Sequence, residues 1–204
     1  MLTGTVPSFC KTARITPILK SGDVEDPNNY RPISILPVIS KCIEYFVCMQ
    51  LTDHMERNKL FCSQQYGFRK NHSTAYLMLD LMDNIYSSKS SNKTPAVIFL
   101  DIKKAFDTVN HEILLEKLSH YGITGTALLW FVNYLNERYQ CTKIGGSMST
   151  FLHIVCGVPQ GSLLGPILFC IYINDLQNAC HMSIPYLFAD DGALFFKDVT
   201  RKSY

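Results

Sequence analysis

Three acidic residues have types and positions that suit chemistry with phosphates and metals. Asp101 ends the apolar run 96–100, and Asp190 and Asp191 stand together between two further apolar runs. A carboxylate at the end of a buried strand is costly without a positive partner or a metal, and a divalent cation relieves the repulsion between adjacent carboxylates. Asp-Asp-Gly alone is most often a solvated turn. Because both flanking arms are apolar, we instead predict that the three carboxylates share a site for Mg²⁺.

Two further groups of residues could bind anionic ligands. The 157–162 loop contains Gln160 and Gly161 and runs into a predicted helix; its glycines allow close backbone approach, and a helix N-terminus favours anions. Lys20 and Arg31 lie on short extended segments, where cations can grip phosphates. The alternatives are a simple helix-entry turn for the loop and solvated surface charges for the two cations. Phe106, five residues after Asp101, could border the same site or be a core phenylalanine.

Apolar spacing predicts the elements that must position these residues. Helical periodicity predicts helices over 38–58, 77–85 (capped by Ser73 or Thr74), 110–120 (capped by Asn110), 126–136 and 162–177. Short apolar runs predict strands over 15–19, 33–36 and 96–100, the last buried on both faces, and hairpins over 139–156 and 184–197. In the second hairpin, Asp-Gly predicts the turn, and the polar stretch 87–94 predicts a surface loop. The order is mixed, with buried strands and helices packed across one face.

Composition excludes several classes of protein. With 204 residues, 47% hydrophobic and 18% charged, the chain is not disordered or of low complexity. A net charge of +2 gives no global basic field, so any nucleic-acid contact must come from individually placed cations. The eight cysteines form no C-x-x-C pattern, which argues against a zinc site. The longest apolar run, 163–173, is too short to span a membrane, and no secretion signal is legible, so an intracellular protein is expected.

Taken in order, the sequence blocks resemble the reverse transcriptases of non-LTR (LINE-like) retrotransposons. The blocks are Asn29-Tyr30-Arg31-Pro32-Ile33-Ser34, Gln65-Tyr66-Gly67-Phe68-Arg69, Phe99-Leu100-Asp101 with Phe106-Asp107, Gly157-Val158-Pro159-Gln160-Gly161-Ser162, and Phe188-Ala189-Asp190-Asp191. The resemblance implies an α+β fingers–palm polymerase core with an antiparallel palm sheet backed by helices. Residues 1–95 would form the fingers and first palm helices, and 96–204 the palm, interleaved as one reverse transcriptase domain. The implied reaction is RNA-directed DNA synthesis, which adds dNTPs to a primer 3′-hydroxyl.

The resemblance also assigns roles to individual residues. Asp101, Asp190 and Asp191 match the catalytic aspartates. Together with the backbone carbonyl of Ile102 they would hold two Mg²⁺ ions, with Mn²⁺ as an alternative, for a two-metal mechanism. Phe106 would be the steric gate that excludes a 2′-hydroxyl. Gln160 and Gly161 would contact the incoming nucleotide and the template. Lys20 and Arg31 would bind the triphosphate, and Arg69 would contact the template.

Partners and extent follow from the same resemblance. The expected partners are an RNA template, a DNA primer and dNTPs, with no membrane; oligomeric state is not predicted. A nuclear location is implied only by how the family works. The chain ends shortly after Asp191, so we expect the thumb to be absent, as well as any endonuclease, and we expect a preserved site with weak or no processive synthesis.

Three other interpretations stay open at this point. An RNA-dependent RNA polymerase shares the aspartate architecture, although Phe106 and the Phe-Ala-Asp-Asp form, in place of Gly-Asp-Asp, argue against it. A non-catalytic remnant of a retrotransposon polymerase would fold and at most bind RNA. A generic α+β phosphate-binding domain is the third alternative.

Overall fold

A computed structural model describes residues 3–199 of the chain. The strands are β1 (Thr12–Leu19), β2 (Tyr30–Ile35), β3 (Ala96–Asp101), β4 (Arg138–Ile144), β5 (Ser147–Met148), β6 (Leu152–Ile154), β7 (Ile184–Phe188) and β8 (Asp191–Phe196). The helices are α1 (Val38–Arg57), α2 (Thr74–Ser90), α3 (His111–His120), α4 (Gly125–Leu135), α5 (Gly165–Tyr172) and α6 (Leu176–Ala179). The fold is therefore mixed helix and sheet, as predicted; the final stretch 200–204 lies outside the described residues.

The strands form two sheets. The first has the order β2-β1-β4, with β5 and β6 also paired to β4. In it β1 pairs antiparallel with β2 but parallel with β4, which joins the start of the chain to its second half. The second sheet is antiparallel, in the order β3-β8-β7. Its strands carry Asp101 and Asp191, and its hairpin carries Asp190.

Two apolar clusters hold the elements together. The larger lies among α1, α3, α4 and α5, where Met55, Leu114, Leu135 and Leu168 are fully buried. The smaller lies where Leu81 of α2 packs against Tyr186, Ala193 and Phe195 of the second sheet. Burial of apolar area drives this packing, although some apolar residues of α1 and α2, such as Phe46 at 61% and Met78 at 51%, stay exposed outside the two clusters. Among residues 3–199, no helix combines the length and apolarity needed to cross a bilayer.

Most predicted helices are confirmed, with their caps. Ser73 accepts a hydrogen bond from the amide of Tyr76 at 3.3 Å, and Asn110 accepts one from Ile113 at 3.1 Å. Two boundaries were wrong. The polar stretch from Ser87 continues α2 as far as Ser90. The predicted helix over 162–177 is two helices, α5 and α6, because the buried carboxamide of Asn174 bonds to the 60–62 segment instead of continuing the helix.

Two predictions about the second sheet are corrected. The 96–100 strand is predicted to be buried on both faces, yet Phe99 is 80% exposed and Ile98 51% exposed, because the apolar cluster beside α2 covers Val97 but neither of them; within residues 3–199, β3 is an edge strand paired with β8. We expected the hairpin to turn at Asp-Gly. Phe188 instead pairs with Asp191, so the turn consists of Ala189 and Asp190, and Ala189 takes the positive φ of 58°. Asp191 consequently belongs to strand β8.

Candidate active site

The sheet register brings the distant carboxylates to one corner of the fold. Asp101 lies directly opposite Asp191 in the antiparallel ladder of β3 and β8. Side chains directly opposite each other share a face, with Cβ atoms about 4.5–5.5 Å apart. Asp190 occupies the hairpin turn immediately before Asp191. All three predicted aspartates therefore lie at the same end of the second sheet.

A cavity of about 880 Å³ opens beside this corner. The second sheet contributes Asp101 and Asp190, the segment after β3 contributes Lys103 and Lys104, and the β1–β2 hairpin contributes both basic residues and Glu25. The predicted residues that line it are Lys20, Arg31, Asp101, Ile102, Phe106, Gln160 and Asp190. The structure thus gathers seven of the ten residues predicted for the site; Asp191 lies opposite Asp101, while Gly161 and Arg69 have the different surroundings described below.

The charged residues of this cavity are free of ion pairs with one another. Across residues 3–199, none of the salt bridges involves Asp101, Asp190, Lys20 or Arg31. The same part of the chain contains no group of three or more His, Cys, Asp or Glu side chains close enough to hold a metal by themselves. Mg²⁺ is usually bound by one or two carboxylates plus water and substrate phosphates. Asp101, Asp190 and the Ile102 carbonyl are hard oxygen donors of the kind this ion takes.

Phe106 lies in a short 3-10 turn, Ala105–Asp107, directly after β3. Its ring packs against Phe169 of α5 with centroids 4.9 Å apart and also borders the cavity. Both alternatives for this residue, core packing and a wall of the site, are therefore compatible with its position. The neighbouring carboxyl of Asp107 also borders the cavity, and burial raises its pKa.

The 157–162 loop ties the segment after β3 to the first sheet. The amide of Val158 donates to the carbonyl of Phe106 at 2.7 Å, and the amide of Ser34 in β2 donates to the carbonyl of Gln160 at 2.6 Å. Gly161 has a φ of 108°, and a Cβ there would stand 2.8 Å from the Ser34 carbonyl oxygen. Gly161 is thus required for contact between loop and strand, while Gln160 lines the cavity.

A buried carboxylate that the sequence did not indicate holds the C-terminal end of this loop. Glu44 of α1 is 1% exposed; it accepts hydrogen bonds from the Leu163 amide at 2.9 Å and the Tyr134 hydroxyl at 2.8 Å. Burial raises the pKa of Glu44. The guanidinium of Arg138, which stacks on the Tyr134 ring, partly opposes this rise. The spacing in α1 could have indicated that Glu44 is buried, since it lies three residues before the buried Val47 and on the same helix face.

The Gln65-Tyr66-Gly67 segment holds the aspartate hairpin from the other side. The amide of Tyr66 donates to the Leu187 carbonyl at 2.8 Å, and the amide of Leu187 donates to the Gln64 carbonyl at 2.9 Å. Gly67 lies so close to Ala189 that any side chain would collide with its backbone nitrogen. This block therefore supports β7 and the turn, a position that its sequence alone does not indicate.

Arg69, predicted to contact a template, is engaged within the protein. Its guanidinium donates to Glu56 at 2.8 and 2.7 Å and to the carbonyls of Cys62 and Gln65, and it stacks over Phe61. The hydrogen bond from Arg69 lowers the pKa of Glu56. Because the Arg69 side chain is 11% exposed, these contacts favour a structural role for it.

Comparison with known proteins identifies the family. The family model described as "Reverse transcriptase (RNA-dependent DNA polymerase)" matches residues 18–202. The chain is 35% identical over 175 residues to the RNA-directed DNA polymerase from mobile element jockey of Drosophila melanogaster, covering 85% of this chain and 19% of that protein. It is 31% identical over 177 residues to the Pol polyprotein from retrotransposable element R2 of Popillia japonica, covering 86% and 24%.

The fold has known relatives as well. A telomerase from Candida albicans, solved with a fragment of telomeric RNA, superimposes with a TM-score of 0.68 at 12% identity, covering 95% of this chain and 38% of that one. The chain spans about a fifth of the length of the curated relatives it matches. With a family model that covers nearly all of its residues and relatives in several non-LTR retrotransposons, this chain belongs to the reverse transcriptase family.

Proposed function

We propose that this chain is the core of an RNA-directed DNA polymerase, which adds dNTPs to the 3′-hydroxyl of a primer. One observation carries the proposal. Asp101 and Asp191 are direct neighbours across β3 and β8, and Asp190 in the adjoining turn lines the same cavity as Asp101, Lys20 and Arg31. The carboxylates suit divalent metal, and the cations Lys20 and Arg31, with Lys103 and Lys104 on the same lining, suit the phosphates of a metal-bound triphosphate.

Each residue then has a distinct task. Asp101, Asp190 and the carbonyl of Ile102 would hold divalent metal, with Asp191 less direct. When bound there, two Mg²⁺ ions would activate the primer hydroxyl and neutralise the leaving pyrophosphate. Lys20 and Arg31 bind the triphosphate and stabilise the charge that moves onto it. Phe106 lies beneath the sugar, while Gln160 and the backbone at Gly161 border the nascent base pair.

The architecture fits the division into fingers and palm. In this proposal the β1–β2 hairpin belongs to the fingers, and the antiparallel sheet β3-β8-β7 with α2 packed against it belongs to the palm. The two parts interleave along the chain, since β1 pairs with β4 and Gln65 bridges to Leu187 of β7. Residues 1–95 and 96–204 would accordingly work as one domain.

The proposed partners are an RNA template and a DNA primer. The relatives named above are RNA-directed DNA polymerases, and the Candida telomerase was solved with RNA. Because base pairing reads the template sequence, the protein needs to recognise backbone and duplex shape, which placed cations can do at a net charge of +2.

The test is single-nucleotide primer extension by the full 204-residue chain. An RNA template, a DNA primer and Mg²⁺ are supplied with one dNTP or the matching NTP. We expect addition of the dNTP in preference to the NTP, and Asp190→Asn should lower the rate to that of a reaction without protein. Asp83→Asn, which changes an exposed aspartate on α2, is the matched control. Activity that survives Asp190→Asn would remove Asp190 from the site, faster addition of the NTP would favour an RNA polymerase, and no addition would favour a non-catalytic remnant.

A further inference from the structure

We propose that Gln65 is a positioning residue, which holds the turn at Ala189 and Asp190 in the conformation that aims the Asp190 carboxylate into the cavity. The consequence for polymerisation rests on the function proposed above. The contact itself between Gln65 and the turn can be tested without it.

The turn needs an external support. Ala189 has a φ of 58°, a left-handed conformation that a residue with a Cβ adopts at a cost and keeps only where its surroundings impose it. The side-chain oxygen of Gln65 accepts a hydrogen bond from the Ala189 amide at 3.3 Å and another from the Gly67 amide at 2.8 Å. The two donors fix the orientation of the carboxamide, and the carboxamide in turn fixes the Ala189 peptide.

The burial of Gln65 indicates that this contact has a purpose beyond packing. The residue is 1% exposed, and among the described residues its amide nitrogen has no hydrogen-bond partner. A buried amide with an unsatisfied N–H group costs free energy that an apolar side chain of similar shape would avoid. An oxygen at this place accepts two backbone amides, those of Gly67 and Ala189, and the second of these contacts reaches the turn beside Asp190.

The neighbouring backbone makes the support stiff. Gln65 and Leu187 form a parallel bridge, with hydrogen bonds on both sides of it through Tyr66 and Gln64. Gly67 fills the space behind Ala189 with backbone alone. A change at the Gln65 side chain would therefore free the Ala189 peptide while the flanking ladder persists. Because Asp190 follows Ala189 directly, rotation of that peptide would displace its carboxylate relative to Asp101.

The first measurement is hydrogen exchange at the Ala189 amide, by NMR on the full chain. Gln65→Met keeps the length of the side chain and removes the acceptor. Gln64→Met is the matched control, since the hydrogen bonds of the Gln64 carboxamide within residues 3–199 come from its neighbours Ser63 and Cys62. We expect exchange at Ala189 to be about tenfold faster in Gln65→Met and unchanged in Gln64→Met, because only Gln65→Met removes the acceptor of the Ala189 amide. Equal exchange in the two variants would overturn the proposal.

A second pair of variants guards against loss of folding. Gln65→Asn withdraws the carboxamide by one methylene and is the smaller change, so it carries the same comparison if Gln65→Met does not fold. Gln65→Glu keeps an acceptor oxygen at full reach and is expected to restore slow exchange at Ala189. Fast exchange in Gln65→Glu would contradict a role for the oxygen.

The last measurement connects the turn to metal binding. Mn²⁺ is titrated into the parent and into both Met variants, and broadening of the amide signals of residues 189–192 is followed. We expect Gln65→Met to need about tenfold more Mn²⁺ than Gln64→Met, with an unchanged KM for dNTP, since the turn and not the triphosphate site is altered. Equal Mn²⁺ affinity in the two variants would contradict the positioning role. No broadening in the parent would instead count against the proposed polymerase site, and the exchange result would still decide the contact.

Discussion

At the scale of single residues, the ring of Phe106 has both a structural and a proposed selective role. It packs against Phe169 and borders the cavity, so a smaller side chain would open space where a sugar is expected to lie. We predict that Phe106→Val lowers the preference for dNTP over NTP, measured as the ratio of kcat/KM values, by at least about tenfold. Phe196→Val, at a partly buried phenylalanine of β8, is the control. A lower melting temperature with an unchanged preference would make Phe106 a core residue only.

The buried carboxyl of Glu44 predicts a pH dependence of stability. Burial raises its pKa above the ordinary value of 4.5, with the charges of Arg138 and Lys41 opposing the rise in part. The folded state therefore keeps this proton to higher pH than the unfolded state does. The stability that Glu44 contributes is greatest below pH 4.5 and falls as the pH rises through the folded-state pKa.

Glu44→Gln removes this titration and keeps an oxygen for the Leu163 amide. We predict that the melting temperature of Glu44→Gln, relative to the parent, increases as the pH is raised from about 4.5 toward neutrality. Thermal melts across that range measure it, with Glu116→Gln, at an exposed glutamate of α3, as the control. A difference that stays constant or falls with pH would show that Glu44 is not the group responsible.

At the scale of elements, the contact between the 157–162 loop and β2 depends on one glycine. Gly161→Ala would place a Cβ against the Ser34 carbonyl at a φ of 108°, so the loop must shift away from the strand. We predict a loss of about 1–3 kcal/mol in the free energy of unfolding, measured by urea denaturation. Gly146→Ala, in a turn where a Cβ meets nothing within 4 Å, should change it by less than about 0.5 kcal/mol. Equal effects of the two changes would contradict this account of the loop.

The elements themselves could largely be predicted, and the exceptions have physical causes. Helices α1 and α3 follow from spacing because each packs one face on the core. Apolar content alone could not reveal that much of β3 is exposed, since exposure depends on what packs on each face of the sheet. The Asp-Gly signal located the hairpin but not its turn, because the register with β3 and β7 assigns Asp191 and Gly192 to β8.

At the scale of the whole molecule, the site is assembled from segments that lie far apart in the chain. The sequence indicated Asp101, Asp190, Lys20, Arg31 and Gln160, and the fold brings them to one cavity. The supports could not be predicted, because a buried polar residue such as Glu44 or Gln65 looks like a surface residue until its partners are known. For Arg69 the error is the opposite: the motif indicated a ligand-binding residue, but it could not reveal the internal partners Glu56 and Cys62.

The measurement that tests the central claim most directly is a crystal structure of the full chain with Mn²⁺, located by its anomalous scattering. The account predicts a peak about 2.1 Å from carboxylate oxygens of both Asp101 and Asp190, which disappears in Asp190→Asn. A peak bound elsewhere, or carboxylates of Asp101 and Asp190 that stay empty at saturating Mn²⁺, would contradict it.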